Sequence, residues 1–291
     1  MAKAEQHTLL ISTIPYNILI EGPPAETAPT VLLTHALMSN LHMWDSTVAA
    51  LHATNRRTIR FDHIGHNLTP APKSADATTR TYTLDDITHH MHAIAKHFSP
   101  CGLKAVIGCS IGGVLALRYA MLYPSSVSLV VSVCAPGIAA PSEHTKGLWT
   151  QRVAQFEADL ATGGESLCHA TVRRWLPGEG PRDEAARRQA LGHVRTCSFR
   201  GYGLLADAIR GYDDSGEGER EGVGDVECVI VAGGRDAASS VEVLEGVAGA
   251  IRESASPRGA EFVVLEEAGH IPPMQCAEEF EEVLLRALRE C

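Results

Sequence analysis

Six short runs, TVLLTH (30–35), RTIRFD (57–62), KAVIGCS (104–110), SLVVSVCA (128–135), ECVIVAGG (227–234) and EFVVLEEAGH (261–270), read as strands, and most are apolar almost without alternation. A strand with one wet face alternates, whereas a strand covered on both faces does not, so these runs belong in a parallel sheet sandwiched by helices. Helical patterns fall between them, over 44–53, 84–98 after the cap-like Thr83, 111–123 ending at Pro124, 240–253 and 277–289. Two further runs, HTLLIST and YNILIEG, separated by Pro15, predict an N-terminal hairpin. The expectation is an α/β fold: an eight-stranded, mostly parallel sheet flanked by helices with right-handed crossovers.

The alternation breaks between Pro136 and Gly222, where helical stretches (148–161, 183–195, 202–210) are joined by Gly and Pro with no convincing strand. This predicts a helical cap over 137–222, inserted after the sixth strand of a core formed by 1–136 and 223–291. The acidic, glycine-rich stretch DDSGEGEREGVGDVE (213–227) reads as a solvated linker back to the core.

The chain has 291 residues, enough for a sizeable core, with 45% hydrophobic and 21% charged residues. A net charge of -10 argues against a phosphate-backbone partner, so no nucleic acid is expected. The start, MAKAEQHTLLIST, lacks the n-region and apolar core of a secretory signal, and no run of about 18 apolar residues offers a spanning helix. A cytoplasmic protein with no membrane partner is expected. Eight cysteines without a CxxC pair read as reduced thiols.

GCSIGG (108–113) lies where a strand ends and a helix begins. In that context G-x-S-x-G places Ser110 on a tight, strained turn, with Gly108 and Gly112 leaving room where a Cβ would collide. The backbone N–H of Ile111 and the positive end of the following helix face the same space and suit a developing oxyanion. The competing reading is a serine that merely caps the helix. A serine hydroxyl needs a base and the base an orienting acid, and in this arrangement acid and histidine follow in that order after late strands. VIVAGGRDAAS supplies Asp236 and VVLEEAGHIPP supplies His270, each just past a strand end. A second oxyanion donor is expected from the loop THALMSNLHMWD, at the N–H of Leu37.

Five separated motifs, H-A-L-M (35–38), F-D-H-I-G-H (61–66), G-C-S-I-G-G (108–113), G-G-R-D (233–236) and G-H (269–270), resemble the α/β-hydrolase superfamily. Within it the chain is similar to 3-oxoadipate enol-lactonases, also through ATVRRWLPGEG (170–180) and FRGYGLLADAIRGYD (199–213). The resemblance implies hydrolysis of an ester or lactone through an acyl-enzyme on Ser110, with His270 as base and then acid. Ala36 stands where many relatives have glycine, and Ile64 and Asn67 replace the Arg and Gly of their D-x-R-G-x-G stretch. These departures bear on the substrate more than on the chemistry.

His35, Met38, Trp149, Arg174, Trp175 and Ile271 are the candidates for contact with a small-molecule substrate, and Met274 is a further candidate for the wall. His35 could instead order its loop by hydrogen bonding, as could Asp62, His63 and His66. Cys109 is expected to point back into the sheet. His89, His90 and His92 share a helix, but no carboxylate or cysteine of ligand spacing accompanies them on the other face, so neither metal nor cofactor is called for. Two alternatives to ester or lactone hydrolysis remain at this level. One is C–C bond cleavage or a non-hydrolytic step on a diketone or polyketide-like substrate with the same triad; the other is a weakly catalytic ligand-binding protein. Oligomeric state has no readable signal.

Overall fold

A computed structural model describes residues 4–72, 81–137, 139–212, 223, 225–253 and 259–290. Its centre is an eight-stranded sheet in the order β1-β2-β4-β3-β5-β6-β7-β8. The strands are β1 (Glu5–Ile11), β2 (Ile14–Glu21), β3 (Thr30–Thr34), β4 (Arg57–Phe61), β5 (Leu103–Cys109), β6 (Val127–Val133), β7 (Glu227–Gly233) and β8 (Ala260–Leu265). β1–β2 and β2–β4 pair antiparallel, and every later pair is parallel. All five residues of β3 are buried, as a strand covered on both faces requires, while edge strand β1 is half exposed. The hairpin turns through Ser12 and Thr13, both in the left-handed region that a two-residue hairpin loop demands.

Helices α1 (Asp45–Ala53), α2 (Leu84–Phe98) and α3 (Ile111–Leu122) follow β3, β4 and β5. Thr83 and Asp86 close a reciprocal capping box at the start of α2, which buries Ile87, Met91 and Ile94. α3 is apolar nearly all round and is buried from Ile111 to Ala120, as the central crossover helix should be. Between β6 and β7 the chain forms α4 (Glu143–Thr162), α5 (Ser166–Trp175), α6 (Pro181–Val194) and α7 (Phe199–Arg210). Helix α5 was not expected, although Leu167, Thr171 and Trp175 recur at a spacing of four and are buried on one side. α4 starts five residues earlier than the spacing suggested because Ser142 caps it, accepting from the N–H of Thr145. α8 (Val241–Glu253), the short α9 (Pro272–Gln275) and α10 (Ala277–Glu290) complete the α-helices among the described residues. The boundary anticipated at Gly222, and residues 213–222 of the acidic stretch, lie outside the described residues.

The β6–β7 helices are fastened to the core at the stretch after β4. The N–H and the hydroxyl of Ser198 both donate to the Gly65 carbonyl at 2.8 Å, and the Asn67 N–H donates to Thr196 O at 3.0 Å. Asn67 sits at φ 44°, which explains why a glycine suits this position elsewhere and why asparagine, tolerant of that region, can replace it.

Candidate active site

Ser110 is the residue between β5 and α3, at φ 56° and ψ -122°. A Cβ on Gly108 would be driven into the Gly112 carbonyl, and one on Gly112 into the Thr34 carbonyl, so strand and helix can meet this closely only through glycine. Ser110 occupies the N-cap position, yet its hydroxyl makes no capping bond. The hydroxyl instead lies 2.9 Å from His270 Nε2. The capping alternative is thereby overturned: the strained turn aims the side chain away from its own helix.

His270 follows β8 and Asp236 follows β7, and the parallel order brings both to the same sheet edge as Ser110. His270 Nδ1 is 2.8 Å from Asp236 Oδ2, and the Asp236 side chain is fully enclosed. The other Asp236 oxygen accepts the N–H of Ala238 at 2.7 Å. With Nδ1–H directed at the carboxylate, Nε2 is left as the acceptor for the serine proton. Cys109 and Cys134 lie beneath, their thiols 3.5 and 3.6 Å from the carbonyls of His270 and Gly269. Burial raises both thiols well above the ordinary cysteine range, so Cys109 packs as an inert thiol.

Two further residues hold the histidine loop and were not singled out in the sequence. Gln275 accepts the Gly269 N–H at 2.6 Å through Oε1 and donates through Nε2 to Asp183, near the start of α6. Asp183 also accepts the Gly180 N–H at 3.1 Å. Both side chains are buried.

The loop after β3 is built on histidines. His35 donates from Nδ1 to its neighbour's carbonyl, Ala36 O, at 2.8 Å and accepts the His63 N–H at 2.9 Å. His66 donates from Nδ1 to Ile64 O, which leaves Nε2 to accept the Met38 N–H at 3.1 Å. Burial holds His63 down to about 3 and His66 to about 4, with neighbouring His66 adding to the effect on His63, so the cluster is neutral at ordinary pH. Asp62 braces the loop from below, accepting from Leu41 N–H at 3.0 Å and from Asn17 Nδ2 at 2.7 Å. The N–H groups of Ala36, Met38 and Ser39 are engaged by Met43 Sδ, His66 and Ala36 O. Those of Leu37 and Ile111, both on the cavity wall beside Ser110, have no partner among the described residues. Met38, at φ 68°, is the strained residue of this loop, and Ala36 stays out of the left-handed region.

A cavity of about 310 Å³ opens over Ser110 and His270, walled by Leu37, Met38, Trp149, Arg174 and Trp175 together with Arg152, which sequence reasoning missed. Arg152 lies one helical turn from Trp149 with its guanidinium 4.8 Å from that ring, an i, i+3 spacing that could have flagged it. Two expectations are corrected. His35 is fully buried, its ring held between the His63 N–H and the Ala36 carbonyl, and Ile271 turns into the hydrophobic core, so neither lines this cavity. Met274 likewise packs against the core. His89, His90 and His92 each bond a tyrosine, Tyr123, Tyr16 and Tyr119 respectively. Among the described residues no three His, Cys, Asp or Glu side chains gather as metal ligands, and no helix is long and apolar enough to cross a membrane.

Residues 29–162 match the family model described as the alpha/beta hydrolase fold. The structure superposes on the enol-lactonase from Burkholderia xenovorans LB400 with a TM-score of 0.81 over 97% of this chain and 99% of that one, at 22% identity. This is an α/β-hydrolase-fold protein. Curated proteins similar to this chain include an epoxide hydrolase of Neurospora crassa, 28% identical over 134 residues, 44% of this chain. A putative 2-succinyl-6-hydroxy-2,4-cyclohexadiene-1-carboxylate synthase of Bacillus subtilis is 29% identical over 138 residues, 47% of this chain. The matches span 38% and 47% of those two relatives' own lengths.

Proposed function

We propose that this α/β-hydrolase-fold protein is a serine hydrolase that cleaves a small ester or lactone. The observation that carries the reading is the continuous path from Ser110 Oγ to His270 Nε2 (2.9 Å) and from His270 Nδ1 to Asp236 (2.8 Å), mounted on a strained turn. Ser110 Oγ attacks the acyl carbon while its proton passes to His270 Nε2, and Asp236 stabilises the imidazolium. The oxyanion that forms accepts the N–H groups of Leu37 and Ile111 and faces the positive end of α3. Collapse breaks the acyl–oxygen bond, and the leaving oxygen takes the proton from His270. Water then repeats the sequence, with His270 as base, and releases the acid and free Ser110. The helices between β6 and β7 act as the cap that closes the cavity over this chemistry.

A fluorophosphonate should label Ser110, and Ser110→Ala should lower turnover by a factor on the order of 10⁴–10⁶ with the circular dichroism spectrum retained. Undiminished ester hydrolysis in that variant refutes the reading. The similarity to a putative synthase favours one second reading, a non-hydrolytic or C–C bond-cleaving step in which His270 moves protons without an acyl-serine. Rapid quenching of wild type with substrate separates the two, since only the first leaves an acyl group on Ser110.

A further inference from the structure

The space around Ser110 divides into two lobes of about 310 Å³ each, which share Leu37, Ser110, Pro136, Thr145 and Trp149. One lobe contains His270, Arg152 and Arg174. The other is walled by Leu84, Ile111, Val114, Ile209 and Tyr212 and presents mainly carbon.

Arg152 and Arg174 bring like charges into one half-buried lobe. Arg174 donates to Thr171 Oγ1 at 3.3 Å and Arg152 rests on Trp149, and among the described residues no carboxylate pairs with either. Burial, followed by the charge of Arg152, lowers Arg174 to about 10, which leaves it protonated at neutral pH. Two partly desolvated cations with no carboxylate bonded to either among the described residues are costly, and a planar anion donated to by both guanidinium groups offsets that cost.

Chemistry sorts the lobes, on the serine-hydrolase reading above. His270 must reach the leaving oxygen to protonate it, so the leaving group occupies the lobe that His270 lines. The acyl group then extends past the Ile111 N–H into the carbon-walled lobe. We propose that the substrate is an ester joining an apolar acyl group to a carboxylate-bearing alcohol, with the carboxylate held between Arg152 and Arg174.

The test compares the hexanoyl esters of 4-hydroxybenzoate and 4-hydroxybenzamide, each rate divided by that ester's rate with hydroxide. Wild type should favour the acid in kcat/KM by about tenfold or more, as a charge-assisted bond implies, and the ratio should fall with added salt. In Arg152→Gln and in Arg174→Gln the ratio should collapse toward one. With the charge moved to the acyl side, monophenyl adipate should gain nothing over phenyl hexanoate. A wild-type ratio near one, or a preference for the acidic acyl group, overturns the assignment, while Ser110 labelling and neutral-ester turnover would leave the hydrolase reading standing. Calorimetric titration of Ser110→Ala with 4-hydroxybenzoate and 4-hydroxybenzamide decides the question without turnover. Tighter binding of the acid, lost on adding Arg174→Gln, supports the site even if no ester is cleaved, and equal binding removes it.

Discussion

The backbone N–H of His270 donates to the carbonyl of Trp175 at 2.8 Å, and the indole lies over the imidazole at 28° with centroids 6.2 Å apart. The proposed base therefore takes its position from α5 as much as from its own strand end. Ser110 and Asp236 are set by the sheet, but the histidine that connects them is set partly by helices that stand outside it.

Gln275 should prove to be a positioning residue. Its amide is oriented by an obligate donor, the Gly269 N–H, so its NH₂ must face the Asp183 carboxylate. Gln275→Glu sets two carboxylates against each other, and Asp183→Asn sets two donors against each other. Each single variant should lower kcat about tenfold and move the acid limb of the kcat/KM profile. The double variant, with a glutamate accepting from both Gly269 and the new asparagine, should recover most of the loss. A double variant no better than the singles argues that the bridge does not position His270.

Asp236→Asn should leave the fold in place and reduce kcat by roughly 10⁴, because the amide favours the wrong imidazole tautomer and cannot stabilise the imidazolium. Steady-state kinetics beside a thermal melt checks this. A loss of less than tenfold would remove Asp236 from the mechanism.

Acid should weaken the loop after β3 before it weakens carboxylate pairs. His63 and His66 are held neutral by burial, to about 3 and about 4. Above the unfolded value of about 6.5 both states are neutral and the loop has its full stability. As pH falls below that, the unfolded chain binds protons that the folded chain refuses, so stability declines and the loss is complete near the folded values. Urea midpoints should drop steadily between pH 6.5 and 4.5, and His66→Gln, which keeps an acceptor for the Met38 N–H without titrating, should flatten the curve. A midpoint constant over that range contradicts the assignment.

Gly112→Ala should destabilise the protein by roughly 1–3 kcal/mol or more, since a new Cβ meets the Thr34 backbone, which cannot give way as a side-chain tip could. Gly246→Ala, on an open face of α8, should be neutral or slightly stabilising. Urea denaturation of the pair isolates the steric term.

Much of this molecule is local and could be read along the chain. The unbroken apolar runs of β3, β5, β6 and β7 report burial on two faces, and Thr83 and Asp86 announce α2 because a capping box lies within one turn. Gly108, Ser110 and Gly112 mark the strained turn because only glycine admits the contact between β5 and α3. Asp236 and His270 could be placed because each stands just past a late strand, in the order that the serine motif calls for. His35 and Ile271 could not: nothing in their neighbours tells whether a side chain at a strand end faces the cavity or the core.

What the sequence by itself determined was the parallel sheet, its helical covering and the three residues at strand ends, since periodicity and turn chemistry depend on near neighbours. Only the tertiary structure decided that Gln275 bridges Gly269 to Asp183, that Trp175 holds His270, and that Arg152 and Arg174 share one lobe. Those relations join residues up to 95 positions apart, and which side chains meet across such distances is decided by packing between elements, a collective property with no local pattern.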